Sequence, residues 1–178
     1  MAITLIIIKV FFIYLLADFA TGVFHFYADN YGEMDGKFLT NSVNLLLIHH
    51  IEPEKITTQN YWELTGGVYK FSFIFFPISL MLLGFHWEIL LFLIIGAHAN
   101  IIHKWSHSSD DETPFFAKFL QRIKLIQNKS HHQNHHMANF HKNYCVMTPY
   151  VNPFLETFFF WQVVIKFFNF FGVKPTQH

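Results

Sequence analysis

Apolar positions along the chain fall into three long runs separated by polar stretches. Residues 3–28 are apolar almost without interruption. A helix of that length, at about 1.5 Å per residue, crosses a hydrocarbon core of roughly 30 Å. Residues 71–85 form a second run and residues 89–102 a third, joined by the tight connection Gly84-Phe85-His86-Trp87-Glu88 with an interfacial Trp. Pro77 predicts a kink in the second span. Between the first two runs, residues 30–67 read as a mixed loop holding Gly32, Gly36, a short apolar run at 43–48 and the pair His49-His50. Pro53 is expected to start a short helix through Leu64, and Thr65-Gly66-Gly67 to punctuate it.

Beyond the third run the pattern changes. Residues 106–113 read as a polar turn, and Pro114 suits a helix start. Phe115, Phe116, Phe119, Leu120, Ile123 and Ile126 then recur at helical spacing with Lys118, Arg122, Lys124 and Lys129 between them. This predicts an amphipathic helix on a membrane surface, although periodicity alone does not separate it from a helix packed on a soluble core. Residues 146–153 read as loop. The phenylalanine-rich stretch 154–171 is either a fourth span or, as preferred here, an interfacial or re-entrant helix. The expected fold is all-α: a polytopic membrane protein with three to four transmembrane helices and a cytoplasmic histidine-rich helical cap, residues 1–178 forming a single membrane-embedded domain.

Composition supports the membrane reading. Of 178 residues, 52% are hydrophobic and only 13% charged, too few charges to coat a water-facing surface. The formal net charge of zero leaves no electrostatic footprint for nucleic acid. The one cysteine, Cys145, excludes an intramolecular disulfide and a Cys-rich zinc framework. The apolar start has no basic region and no small-residue cleavage site, so it reads as a retained helix and not a removed signal.

The polar residues inside this apolar frame carry the chemistry. Asp18 is an acid within a span, which is costly and marks a functional or paired group. On a helix Asp18, Gly22, His25 and Asp29 share a stripe that is expected to face the bundle. His103 and His107 stand at i, i+4 at the end of the third run. His98 is off that stripe and is treated as core or as support to the site. His86 and His178 read as surface residues. In His131-His132-Gln133-Asn134-His135-His136, residues 132, 135 and 136 share one helical face, and His141 follows shortly after.

Topology gathers these groups. If the first span runs inward, His25 and Asp29 lie at its inner end and His49-His50 beside them. The second span leaves and the third returns, so His103, His107 and the 131–141 group reach the same face. Lys104, Lys118, Arg122, Lys124, Lys129 and Lys142 all follow the third span, which marks that face as cytoplasmic. Imidazole suits Zn, Cu, Fe and Ni. About ten imidazoles exceed what one catalytic zinc uses, and no Cys-x-x-Cys or His-Glu-x-x-His is present. Two irons account for the number, and iron can activate O2 against an unactivated C–H bond.

The boxes His103-x3-His107 and His132-x2-His135-His136 resemble those of membrane fatty-acid desaturases and hydroxylases. More specifically, four motifs in order resemble the lipid desaturase domain family over roughly residues 15–161: Asp18-Phe-Ala-Thr-Gly-Val-Phe-His25-Phe-Tyr-Ala-Asp29, His49-His-Ile-Glu-Pro-Glu-Lys-Ile-Thr57, His103-Lys-Trp-Ser-His107, and His131-His-Gln-Asn-His-His136 with His141. That family includes plasmanylethanolamine desaturases and plastid desaturases acting on phosphatidylglycerol acyl chains.

The resemblance implies a non-haem di-iron enzyme that takes O2 and two electrons from an external donor, cytochrome b5- or ferredoxin-like, to desaturate a lipid-bound chain. For the plasmanylethanolamine branch the product is the vinyl ether of plasmalogens. It implies His25, His49, His50, His103, His107, His132, His135 and His136 as ligands, with His131 and His141 as ligands or their supports. Asp29 could ligate a metal or orient a ligand, and Asp18 is a supporting candidate. Alternatives are an acyl-chain desaturase, a hydroxylase of the same metal class, and a non-enzymatic membrane metal carrier or sensor. With no targeting extension, the expected setting is a bacterial inner membrane, or an endoplasmic-reticulum type membrane in a eukaryote.

Overall fold

The computed structural model describes residues 1–36, 40–137 and 141–176, and of Asn41 the backbone alone; the surface reading of His178 lies outside them. Among the described residues every regular element is a helix. In chain order these are α1 (Ala2–Tyr31), α2 (Thr40–Ile51), α3 (Lys55–Thr58), α4 (Tyr61–Leu83), α5 (Trp87–Ala97), α6 (Ala99–His107), α7 (Phe115–Arg122), α8 (Lys129–Met137), α9 (Val151–Thr157) and α10 (Phe160–Phe170).

Among the described residues, three segments are long and apolar enough to cross a membrane: α1, α4 and the 21 residues of Trp87–His107. Their surfaces are those of a membrane protein, with large apolar side chains such as Ile3, Phe73 and Met81 outside and Asp18, His25, His103, His132 and His135 buried within. α1 and α4 both pack along α5. Where α5 begins, Lys9 Nζ donates to Glu88 Oε1 at 2.6 Å and lies 5.5 Å from the Trp87 ring centre, tying α1 to α5. At the other end α1 finishes, α4 begins and α6 finishes, which is the common placement expected from the three runs.

The region expected as loop, 30–67, differs. It holds α2 and α3, and the second span starts at Tyr61, ten residues before the apolar run. Asn60 sets this start through a capping box: its Oδ1 accepts from the amides of Trp62 and Glu63, at 2.9 and 3.1 Å, while Glu63 Oε2 accepts from the Asn60 amide at 2.7 Å. The helix expected from Pro53 to Leu64 is instead interrupted at extended Gln59. Gly66 and Gly67 lie inside α4 and do not punctuate. Each costs only about 1 kcal/mol relative to alanine, less than leaving backbone groups unbonded in lipid. Pro77 is likewise inside α4, which continues through it.

The third span is broken at His98, whose Nδ1 donates to the Ile94 carbonyl at 2.7 Å while Nε2 meets the Tyr61 hydroxyl at 3.2 Å. The 154–171 stretch is broken at Phe159, whose φ of 51° lies in the left-handed region. The resulting 11-residue α10 is roughly 16 Å long, about half a bilayer core, so it does not form a fourth span. It instead covers the C-terminal end of α1, where buried Trp161 stacks on Phe26 (4.8 Å between ring centres) and meets Tyr144 (5.0 Å).

Candidate metal centre

Four helices bring imidazoles to one place: the last turns of α1 and α2, the end of α6, and α8. Helical geometry divides them. Neighbouring residues on a helix diverge by roughly 100°, so the adjacent pairs His49-His50 and His135-His136 cannot face one point. They split between two abutting groups, His49, His107, His132 and His136 in one and His25, Asp29, His50 and His135 in the other. Within each group the potential ligand atoms all lie within 4.8 Å of one another. The i, i+4 pairs His25/Asp29 and His132/His136 each stay within one group, as a shared face requires. The groups touch: ring centres of His49 and His50 are 5.7 Å apart, and those of His135 and His136 5.6 Å.

The second group has the spacing of ligands around one ion. His25 Nε2 and His135 Nε2 each stand 3.3 Å from His50 Nε2. The Asp29 carboxylate lies 3.4–3.5 Å from all three nitrogens. Atoms bound to one ion at about 2.1 Å stand roughly 3.0 Å apart at right angles and about 3.4 Å apart in a tetrahedron. In the first group His132 Nε2 is 3.2 Å from His136 Nε2. Buried His103 joins the two: its Nε2 is 2.9 Å from His132 Nε2, and its ring centre lies 4.6 Å from that of His49 and 5.9 Å from that of His25.

Several ring nitrogens here are buried without a hydrogen-bond partner: both of His49, Nδ1 of His103, Nε2 of His107 and Nδ1 of His132. Each such nitrogen costs about 1–3 kcal/mol unless something accepts its lone pair or takes its proton. Burial, reinforced by His107 and other nearby imidazoles, pushes His49 and His132 well below the ordinary histidine range. Burial and His135 lower His136 to about 4. These rings are neutral at pH 7, the form that binds a metal. A cluster of buried neutral imidazoles facing one another around a carboxylate fits metal ions.

Support for two of these imidazoles comes from the segment 142–148, which forms no helix. His25 Nδ1 donates to the Tyr144 carbonyl at 3.1 Å and His135 Nδ1 to the Lys142 carbonyl at 2.7 Å. Each bond fixes the tautomer and turns Nε2 inward. Asp18 is not in the centre. Its carboxylate accepts from the amides of Met147 and Thr148, at 2.8 and 2.9 Å, and from the Thr148 hydroxyl at 2.7 Å. His131 and His141 fall outside both groups. His131 Nε2 is 3.5 Å from Asn152 Nδ2, and His141 is exposed.

A model of the lipid desaturase domain matches residues 14–178, nearly the whole chain and every residue of both groups. The chain belongs to the lipid desaturase domain family. It is 32% identical over 175 residues to a probable fatty acid desaturase of Acanthamoeba polyphaga mimivirus, covering 91% of this chain and 82% of the viral protein. It is 32% identical to plasmanylethanolamine desaturase 1 of Mus musculus, covering 83% of this chain and 59% of the mouse protein. It is 28% identical to the chloroplastic fatty acid desaturase 4-like 1 of Arabidopsis thaliana, covering 92% of this chain and 57% of the plant protein. The chain thus spans most of the viral relative and little more than half of the other two. No solved structure matches it.

In this lipid desaturase domain Asn152 and Gln127, which no sequence motif marks, hold the supporting segment together with Gly22 of the α1 stripe. Asn152 Oδ1 accepts from the Cys145 amide at 2.9 Å, and its Nδ2 donates to the Cys145 carbonyl at 2.7 Å. The Gln127 side chain donates to the Val146 carbonyl, and its amide to the Met147 carbonyl at 2.8 Å. Gly22 lets Cys145 approach α1, because a Cβ there would overlap Cys145 Sγ and stand 3.2 Å from its nitrogen. The one available signal was the stripe: Gly22 shares the buried face of Asp18 and His25.

Proposed function

We propose that this protein is an O2-dependent di-iron desaturase that introduces a double bond into a lipid-bound chain. Its first candidate substrate is the 1-O-alkyl chain of an ether phospholipid, converted from plasmanylethanolamine to plasmenylethanolamine. One observation carries the reading: two abutting four-residue groups, sharing adjacent histidines from α2 and α8, sit at the end of three membrane spans. His49, His107, His132 and His136 would hold one iron, and His25, Asp29, His50 and His135 the other, with His103 against both. Bound there, iron supplies the O2 activation that a C–H bond in an alkyl chain requires.

The balance is a chain losing two hydrogens, with O2, two protons and two electrons from a cytochrome b5- or ferredoxin-like donor leaving as two waters. The protein's own part is positional. The carbonyls of Tyr144 and Lys142 lock two imidazoles, Asp29 sets its charge among three ring nitrogens, and burial keeps bulk water from the reacting chain. The lysine and arginine residues beyond the third span favour a cytoplasmic metal face.

Acyl-chain desaturation is the second reading, favoured by the chloroplastic relative. A metal carrier fits less well, since the histidines gather at one end of the spans and Asp18 is engaged by Met147 and Thr148. The test is lipid analysis of an expressing host supplied with or without ether lipids, together with metal analysis of anaerobically purified protein. Acid-labile vinyl ethers and close to two irons per chain are expected. His107→Ala and His135→Ala should each remove one iron and all product. Active protein without iron ends the reading, and a product that gains one oxygen makes the protein a hydroxylase.

A further inference from the structure

Beside the metal centre, a cavity of about 310 Å³ lies between the end of α6, the polar face of α7 and the start of α8. Lys118, Arg122 and Lys129 line it, with the hydroxyl residues Ser108 and Ser130 and a single carboxylate, Asp110. Lys118 is held at the wall by donating to the Asp110 carbonyl at 2.9 Å. Neighbouring Glu112 does not line it; its carboxylate accepts from the amide and hydroxyl of Ser109 and is near enough to Lys129 to feel its charge. The lining therefore offers three cations against one anion, in a chain whose overall charge is zero.

The cavity's place is specific. Ser108 follows His107 directly, and Lys129 and Ser130 stand three and two residues before His132. The opposite face of α7 is apolar and uncovered: Phe115 is 84% exposed, and Phe116, Phe119 and Ile123 are all more than half exposed. Such a helix lies in a bilayer interface with its phenylalanines among the chains and its cations at headgroup depth.

We propose that this cavity receives the phosphodiester of the phospholipid whose chain the centre oxidises, with Arg122 and Lys129 as the principal charge partners. The inference rests on the desaturase reading and deepens it. In a vinyl ether the new double bond adjoins the ether oxygen, a handful of bonds from the headgroup phosphate. A substrate placed with that bond at the centre must set its phosphate close by, and this cavity adjoins the ligand-bearing helices. Arginine offers a phosphate two parallel hydrogen bonds, which would fix orientation as well as affinity.

The test uses the metal-loaded full chain in detergent micelles, with glycerophosphoethanolamine and inorganic phosphate as calorimetric probes and an alkyl phospholipid as substrate. Wild-type protein should bind glycerophosphoethanolamine, and R122Q and K129Q should each weaken it about tenfold or more. The same variants should raise KM for the phospholipid more than they lower kcat, at unchanged iron content, and R122K should recover part of the loss. A 1-O-alkylglycerol without phosphate should show no dependence on residue 122.

Inorganic phosphate binding lost in R122Q while the phospholipid KM stays at the wild-type value would make this a free-anion site and overturn the proposal. Wild-type Kd and KM in both variants would do the same. Should R122Q lose iron or unfold early, K129Q on the other wall gives the same reading. Absence of product from every lipid defeats the desaturase reading, while the calorimetric arm still decides the site.

Discussion

Asp18→Asn keeps the size and shape of the side chain but replaces one acceptor oxygen with an NH2 donor. In the native protein Oδ1 accepts from the Met147 amide, and Oδ2 accepts from the Thr148 amide and hydroxyl. The most favourable orientation of asparagine keeps its carbonyl on Thr148 and sets its NH2 against the Met147 N–H, donor facing donor in a fully buried place. An unsatisfied buried donor costs about 1–3 kcal/mol, and the surviving bonds lose their charge-assisted share, for roughly 2–4 kcal/mol in all. That corresponds to a fall in Tm of roughly 5–15 °C for a chain of this size.

The loss should reach the metal centre, because the segment released carries the Tyr144 and Lys142 carbonyls that hold His25 and His135. Weakened support of this kind lowers metal affinity by about 10–100-fold. Thermal unfolding in detergent and iron retention against a chelator measure the two effects. Thr148→Val, which removes the hydroxyl's bond to the Asp18 carboxylate and the one it accepts from the Tyr150 amide, should cost about 1.5–3 kcal/mol in the same assay. If D18N unfolds at the wild-type temperature and keeps its iron, the clamp argument fails. Product loss with both quantities unchanged would place Asp18 in the chemistry instead.

The two helical glycines Gly22 and Gly66 should respond oppositely to alanine. G22A drives a methyl into Cys145 and should cost about 1–3 kcal/mol with faster iron loss. G66A meets no atom within 4 Å inside α4 and should stabilise by about 0.5–1 kcal/mol, both read as shifts in Tm. Tyr144→Phe removes the hydroxyl that accepts from Asn30 Nδ2 at 3.1 Å, while Asn30 keeps its 2.9 Å bond to the Phe26 carbonyl. The expected cost is about 1 kcal/mol with iron content unchanged, since it is the Tyr144 backbone that holds His25. Metal-free protein should lose stability on acidification. Above about 6.5 His136 is neutral whether folded or unfolded, and from there to about 4 only the unfolded chain takes up its proton. His49 and His132 add in the same direction, so chemical unfolding of metal-free protein should show a falling midpoint below pH 6.5.

The spans and the histidine-bearing helices were legible because their signals are local. A bilayer demands long apolar runs, and residues 3–28, 71–85 and 89–102 supply them whatever surrounds them. The i, i+4 spacings of His103 with His107 and of His132 with His136 follow from helix geometry alone, and counting spans puts all of these groups at one end. The tertiary structure decided how the histidines divide. Helix geometry parts adjacent His49 and His50, but which group each enters follows from α2 setting His50 against His25 of α1 and His49 against His103 and His107 of α6, a packing fact that no spacing within α2 records.

It also gave Asp18 its place. An acid in a span signals a partner without saying which, and the partner stands 129 and 130 residues away in a segment that reads as loop. Gln127 and Asn152 carry no sequence mark for the same reason: their work is to bind backbone atoms distant in the chain, and backbone atoms leave no mark in a sequence. The helical start at Asn60 lay within reach of sequence reading, through Asn60 and Glu63 at capping-box spacing, but the glycine pair that follows masked it. Local periodicity set what each segment is, while long-range packing set which atoms meet, because coordination and clamping depend on separations of a few ångströms between residues far apart in the chain.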